Sequence, residues 1–190
     1  MSRPRSDQRR TGILDAATRV IASRGLGAAA TAAIAKEAGV SNGSLFLYFE
    51  SKSTLLNELY VQLKAEVGDA AMADMPDQGS TRDLVRHMWK RWLRWATSNP
   101  EKRRTLAQLE VTDEISLESH ELVRDGQRLM SELIERSRAG GPMKDEPVSF
   151  VLLVVGAIAD TTMDVMIRDP DGADARSDAA FEAMWRVLAG

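Results

Sequence analysis

The stretch IAKEAGVSNGSLFLYFESK, residues 34–52, decides the fold. Ile34, Ala35 and Ala38 form one apolar stripe at helical spacing, and Gly39 then supplies the backbone freedom to leave a helix sharply. Val40 can pack between two helices, while Ser41 is a residue type whose hydroxyl accepts a bond from an orphan N–H and starts the next helix. The turn is about three residues long, the length expected of a DNA-reading helix-turn-helix. In the second helix Leu45 and Phe49 stand four apart and face inward, which leaves Asn42, Gly43, Ser44, Phe46 and Leu47 around the other sides. Those groups are available to a groove.

Composition narrows what surrounds this stretch. With 190 residues, 44% of them hydrophobic and 28% charged, the chain has the make-up of a globular protein with a core that stands without staples. Cysteine is absent, which excludes disulfides, thiolate nucleophiles and cysteine-bound zinc. The basic N-terminus, MSRPRSDQRRTG, has no apolar run behind it of the secretory kind. The longest apolar stretch, residues 150–159, is far short of the roughly 20 residues that span a bilayer. A cytoplasmic protein without membrane anchoring is expected. Net charge is −3, but residues 1–52 hold eight basic groups against four acidic ones, and the remainder holds 17 against 24. A basic module is joined to an acidic one, and phosphates would be neutralised at the basic one.

Periodicity then predicts an all-α chain of about nine helices, divided into a DNA-binding domain over 1–52 and a ligand-binding and dimerisation domain over 53–190. Residues 1–8, with Arg3 and Arg5 around Pro4, are expected to form a flexible arm, and a helix follows from about Asp7 to Arg24, frayed near Gly12. Thr31 is the best cap available to the next helix, since Ala29 and Ala30 have no side-chain acceptor. Ser51 restarts a helix carrying Leu55, Leu56, Leu59, Tyr60, Leu63 and Val67, and residues 74–80 read as a linker. Further helices are expected over 81–98, 101–110, 118–138, 147–168 and 177–189. Residues 150–159 are apolar all round, so that helix must be covered on every side, by its own domain or by another subunit.

The segments ILDAATRVIASRG (13–25) and IAKEAGVSNGSLFLYFESKSTLL (34–56) are similar to the DNA-binding domain of the TetR family, the tetracycline-repressor-like regulators of bacteria. The match covers roughly residues 9–57 in order and spacing; beyond it the likeness is architectural. The resemblance implies a homodimer that docks two helix-turn-helix units on a palindromic operator in double-stranded DNA. It also implies a small-molecule effector in the C-terminal domain whose binding relieves repression. Carried over residue by residue, Asn42, Gly43, Ser44 and Phe46 fall where the family touches bases, and Tyr48 and Lys52 where it touches phosphates. Thr31, Ser41 and Leu47 complete the candidate DNA face. The chemistry agrees: Asn bonds adenine bidentately, a glycine admits close backbone approach, and an aromatic edge meets thymine methyls. Lys52 at a helix start adds charge beside backbone N–H groups that already favour an anion.

The chain departs from the family pattern at Ala29 and Ala30, where Thr and Ser are usual and serve to cap the helix and bond a phosphate. Either Thr31 takes over the cap, or that contact is missing. Asn42 stands where Lys is frequent and Leu47 where a polar residue is, so affinity should lean more on Arg9, Arg10 and Lys52.

Trp89, Trp92 and Trp95 could line an apolar ligand pocket or be plain core, and His120, Met130, Asp160, Met163 and Asp164 are further pocket candidates. Val155, Ile158, Thr162, Phe181, Met184, Trp185 and Leu188 are the candidate dimer interface. Two lone histidines, His87 and His120, give no metal-ligand spacing, and no catalytic set can be assembled, so neither a metal, a cofactor nor an enzymatic activity is expected. The rival reading is a helical interaction protein that binds a partner helix through the tryptophan face and no longer reads DNA.

Overall fold

A computed structural model describes the backbone of residues 3–190 and the side chains of residues 6–190. The described residues form ten α-helices and no strand: α1 (Arg3–Arg24), α2 (Thr31–Glu37), α3 (Asn42–Leu45), α4 (Lys52–Met72), α5 (Thr81–Ser98), α6 (Pro100–Leu109), α7 (Leu117–Gly126), α8 (Arg128–Arg138), α9 (Val148–Arg168) and α10 (Ala173–Ala189). The expected arm is helical from Arg3, and α1 continues through Gly12 without a break. Met1 and Ser2 lie outside the described residues, as do the side chains of Arg3 and Arg5. The single helix expected over 118–138 is two, because at Gln127, directly after the helix-weakening Gly126, the backbone leaves helical geometry (φ −101°, ψ 12°).

The chain divides into two compact units, Met1–Glu66 with Asn99–Arg124 and Val67–Ser98 with Asp125–Gly190. This division does not coincide with the boundary expected after residue 52. The first unit takes in most of α4, all of α6 and most of α7. Side chains of α6 bind α1 and the turn behind it: Thr105 Oγ1 donates to the Thr18 carbonyl (2.9 Å), and Gln108 accepts from the Leu26 amide (2.8 Å) while donating to the Ile21 carbonyl (3.3 Å). These are buried or half-buried groups, so leaving them unpaired would cost about 1–3 kcal/mol each. Ile13, Ile21, Ile34, Leu45, Phe49, Leu55, Leu59 and Leu109 form the apolar centre of this unit, each 1% exposed or less.

The second unit packs α5, α8, α9 and α10 around Val85, Trp89, Leu93, Leu133, Val151, Val155, Met163, Phe181, Met184 and Leu188. Gly141, in the turn after α8, sits where a Cβ would lie 1.8 Å from the Leu188 carbonyl, so only glycine lets that turn close on the end of α10. Arg138 holds the same turn: its Nη1 donates to the carbonyls of Met143, Lys144 and Glu146, and its Nε and Nη2 clasp Glu135.

The residues expected at the dimer surface lie on the inward face of α9 and α10. Val155, Thr162, Phe181, Met184 and Leu188 are each 7% exposed or less, and all but Thr162 belong to the apolar core of their own unit. Ile158 and Trp185 are partly buried against the same core. The apolar surface that α9 leaves open is instead Phe150, Leu152, Leu153 and Ile167. By length and composition α9 is also apolar enough to cross a membrane, beyond what its ten-residue apolar run suggested, and 33% of its most apolar window is buried within the chain. Phe181→Ala should therefore cost about 3–5 kcal/mol of stability, read as a lower denaturant midpoint; a variant as stable as the parent would contradict its burial.

Candidate nucleic-acid interface

The turn between α2 and α3 is built by two backbone bonds that close the end of α2. The Val40 amide donates to the Ala35 carbonyl (3.0 Å) and the Gly39 amide to the Lys36 carbonyl (3.2 Å), the pairing of a Schellman helix end. Gly39 has φ 68°, and a Cβ there would meet nothing within 4 Å, so left-handed backbone rather than crowding demands glycine. Ser41 then caps α3: its Oγ accepts from the Ser44 amide (3.0 Å) and pairs with the Ser44 hydroxyl (2.8 Å). Ser51 and Thr54 repeat the device at the start of α4, at 3.0 and 2.9 Å. Two serine caps thus fix both ends of the segment that carries residues 42–50.

Within that segment α3 is a single turn, continued by tighter bonds from the Leu47 and Tyr48 amides to the carbonyls of Ser44 and Leu45. Leu45 (0% exposed) and Phe49 (1%) face inward. Asn42 and Gly43 are exposed, Ser44 and Tyr48 half-buried, and Phe46 and Leu47 are 43% and 83% exposed. Asn42, Phe46 and Leu47 therefore form one open face, with the Ser44 hydroxyl at its edge already engaged by Ser41.

At α2 the expected cap is absent. Thr31 is the first helical residue rather than the N-cap, and Ala30, which holds the N-cap position, offers no side-chain bond. Ala29 is fully buried, so that position packs instead of presenting a polar group. Of the cations expected to carry affinity, Arg9 is exposed. Arg10 pairs with Glu58 and lies over the Phe49 ring, 4.9 Å from its centroid. Lys52, the first residue of α4, stands with its Nζ 3.6 Å from Glu114 Oε1. Arg19 bonds Glu37 at 2.7 Å. Nothing in the local sequence pattern announced the partners of Arg10 and Lys52, which lie 48 and 62 residues along the chain.

The expected ligand residues do not share one setting. His120 is in the first unit, where its Nδ1 meets the Tyr60 hydroxyl at 3.1 Å. Burial, aided by Glu110, pushes that phenol up to about 12, so it keeps its proton at neutral pH. In the second unit Trp89 is core, its Nε1 donating to the Ser177 carbonyl (3.1 Å) and its ring edge-on to Trp92 and Phe181. Met163 is core too, whereas Trp92, Trp95 and Met130 are partly buried against it. Asp160 and Asp164 are exposed on α9. A shallow concavity that sequence reasoning did not single out is lined on α8 by Arg128, Ser131, Glu132, Glu135 and Arg136. Among the described residues no three of His, Asp and Glu are grouped to hold a metal.

Residues 13–59 match the family model of bacterial regulatory proteins, tetR family. The chain is 29% identical over 77% of its length to the HTH-type transcriptional regulator HbdR of Aromatoleum sp. (strain CIB), and 31% identical over 38% of its length to the fatty acid metabolism regulator protein of Bacillus subtilis. It spans less than two thirds of these curated relatives, 64% and 38% of their respective lengths. In fold it is similar to a TetR family transcription regulator of Shewanella sp. PV-4, with 25% identity, TM-score 0.85 and coverage of 96% and 98% of the two chains. The FadR regulator of Bacillus subtilis, solved with stearoyl-CoA, shares the fold at TM-score 0.68 and 17% identity, over 92% of this chain and 96% of that one.

Loss of the Ser41 hydroxyl should loosen α3 selectively. Ser41→Ala is expected to cost about 0.5–2 kcal/mol and to speed hydrogen exchange at the Ser44 amide. Unchanged exchange there would mean that the cap does not hold the turn.

Proposed function

We propose a function from one premise: the chain belongs to the TetR family of bacterial regulatory proteins. It is a DNA-binding transcriptional regulator that docks α3 in the major groove, acts as a dimer on a palindromic operator, and represses until a small molecule releases it. The observation that carries the reading is the capped α2–turn–α3 unit with Asn42, Phe46 and Leu47 open to solvent. An asparagine, an aromatic edge and a leucine on one face suit adenine and thymine-methyl readout, while Tyr48 and Lys52 suit phosphates. Leu47, 83% exposed beside a polar turn, contributes little to packing in the unit.

Dimerisation is assigned to the outer face of α9. Phe150, Leu152, Leu153 and Ile167 make an apolar surface that water does not favour, and a second copy of the chain would cover it. The effector is assigned to the second unit, whose core is rich in methionine and tryptophan: Met88, Met163, Met166, Met184 and Trp89, with Trp92 and Trp95 at its edge. Methionine repacks around irregular apolar guests at little cost. A long acyl thioester, the ligand class of the Bacillus FadR structure, is the first probe to try. The interaction-protein reading is supported only by the uncapped start of α2.

Fluorescence anisotropy at low salt tests the reading. A fragment from upstream of the gene should bind more tightly than random duplex, with affinity falling steeply as salt rises. Asn42→Ala should relax preference at one base pair, and Tyr48→Ala should weaken all sequences alike. Absence of any preferred fragment would favour the interaction protein instead. For the dimer, Leu153→Asp should sediment as a monomer; a dimer of unchanged stability would place the interface elsewhere.

A further inference from the structure

We infer that Glu114 is a built-in counter-charge that restrains DNA affinity by competing with phosphate for Lys52; this rests on the DNA-binding reading above. Lys52 opens α4, where its ammonium and the positive end of the helix dipole favour the same anion. In the free protein the anion beside it is a side chain of the chain itself, the Glu114 carboxylate at 3.6 Å. Glu114 lies between α6 and α7, outside the helix-turn-helix.

That carboxylate is not there by the chance wandering of a loop. Asn57, one turn and a half into α4, is itself held by the preceding turn and makes three bonds that fix the segment. Its Nδ2 donates to the carbonyls of Ser53 (2.9 Å) and Glu114 (3.0 Å). Its Oδ1 accepts from the Ser116 amide and the Ser119 hydroxyl, both at 2.8 Å. Ile115, between the held residues, is 6% exposed and anchors the segment in the apolar centre of the unit. Backbone and side chain together hold residue 114 against the first turn of α4, while its carboxylate stays exposed enough (43%) to be exchanged for another anion.

A phosphate arriving at Lys52 must therefore displace Glu114, and the released carboxylate takes up a cation from solution. Both effects weaken binding without reference to base sequence. Asn57 acts as a positioning residue, and Glu114 sets affinity.

The test uses the full chain and two duplexes, a preferred fragment and a random one, across a salt series. Glu114→Gln keeps shape and the backbone contacts, and its melting temperature serves as the control for folding. It should bind both duplexes roughly two- to fivefold more tightly, the range of a half-exposed ion pair, with the ratio between them unchanged. Its plot of log affinity against log salt should steepen by up to about one unit. In a Lys52→Gln background the same substitution should change neither quantity. Unchanged affinity and slope in Glu114→Gln would overturn the inference. So would a gain that persists without Lys52, because it would reflect plain repulsion between Glu114 and DNA. A parent chain that binds no duplex overturns the DNA reading itself, and this inference with it.

Discussion

Leu45 and Phe49 are four residues apart, and both are withdrawn from solvent into the centre of the first unit. With those two side chains buried, Asn42, Phe46 and Leu47 are the residues of the segment left open to solvent. The two serine caps hold the ends of the same segment, and Gly39 sets the angle at which it departs from α2. An α-helix of four residues has almost no stability of its own, since nucleation costs more than one turn of bonds returns. Its shape is therefore borrowed from its packing on α2 and from the two serine caps.

The same dependence explains why α6 belongs with the first unit. The buried Thr105–Thr18 bond and the Gln108 contacts with α1 and its following turn tie a helix from the middle of the chain to the N-terminal three. Asn57 does the same for the segment before α7. Both α6 and the 114–119 segment are thus bonded directly to the helices that flank α2 and α3 in the chain.

The helix-turn-helix was legible in the sequence because every signal there is local: a stripe of Ile34 and Ala35, a glycine after it, a serine before the next helix and a four-residue spacing to follow. The apolar stripes of α4, α5 and α10 were legible for the same reason. What depends on distant partners was not. Phe181, Met184 and Leu188 have the spacing of a helix face, but periodicity does not say whether that face meets its own domain or a second chain, and here it meets its own. Over residues 150–159 the open face of α9 differs from its buried one by position alone, as both are apolar there. Thr31 looked like a cap by residue type, yet the chain enters α2 one residue earlier, at an alanine. The partners of Lys52 and Arg10, set by the path of the chain through α4 and α6, left no mark at short range.

The central claim is that α3 and the first turn of α4 meet DNA. Amide hydrogen exchange on the full chain, alone and with the duplex that it selects from a random-sequence pool, tests this most directly. Added protection should concentrate over residues 41–52 and leave the open face of α9 unchanged. Protection confined to α5 or α9, with residues 41–52 exchanging as in the free protein, or no duplex enriched from the pool at all, would contradict it.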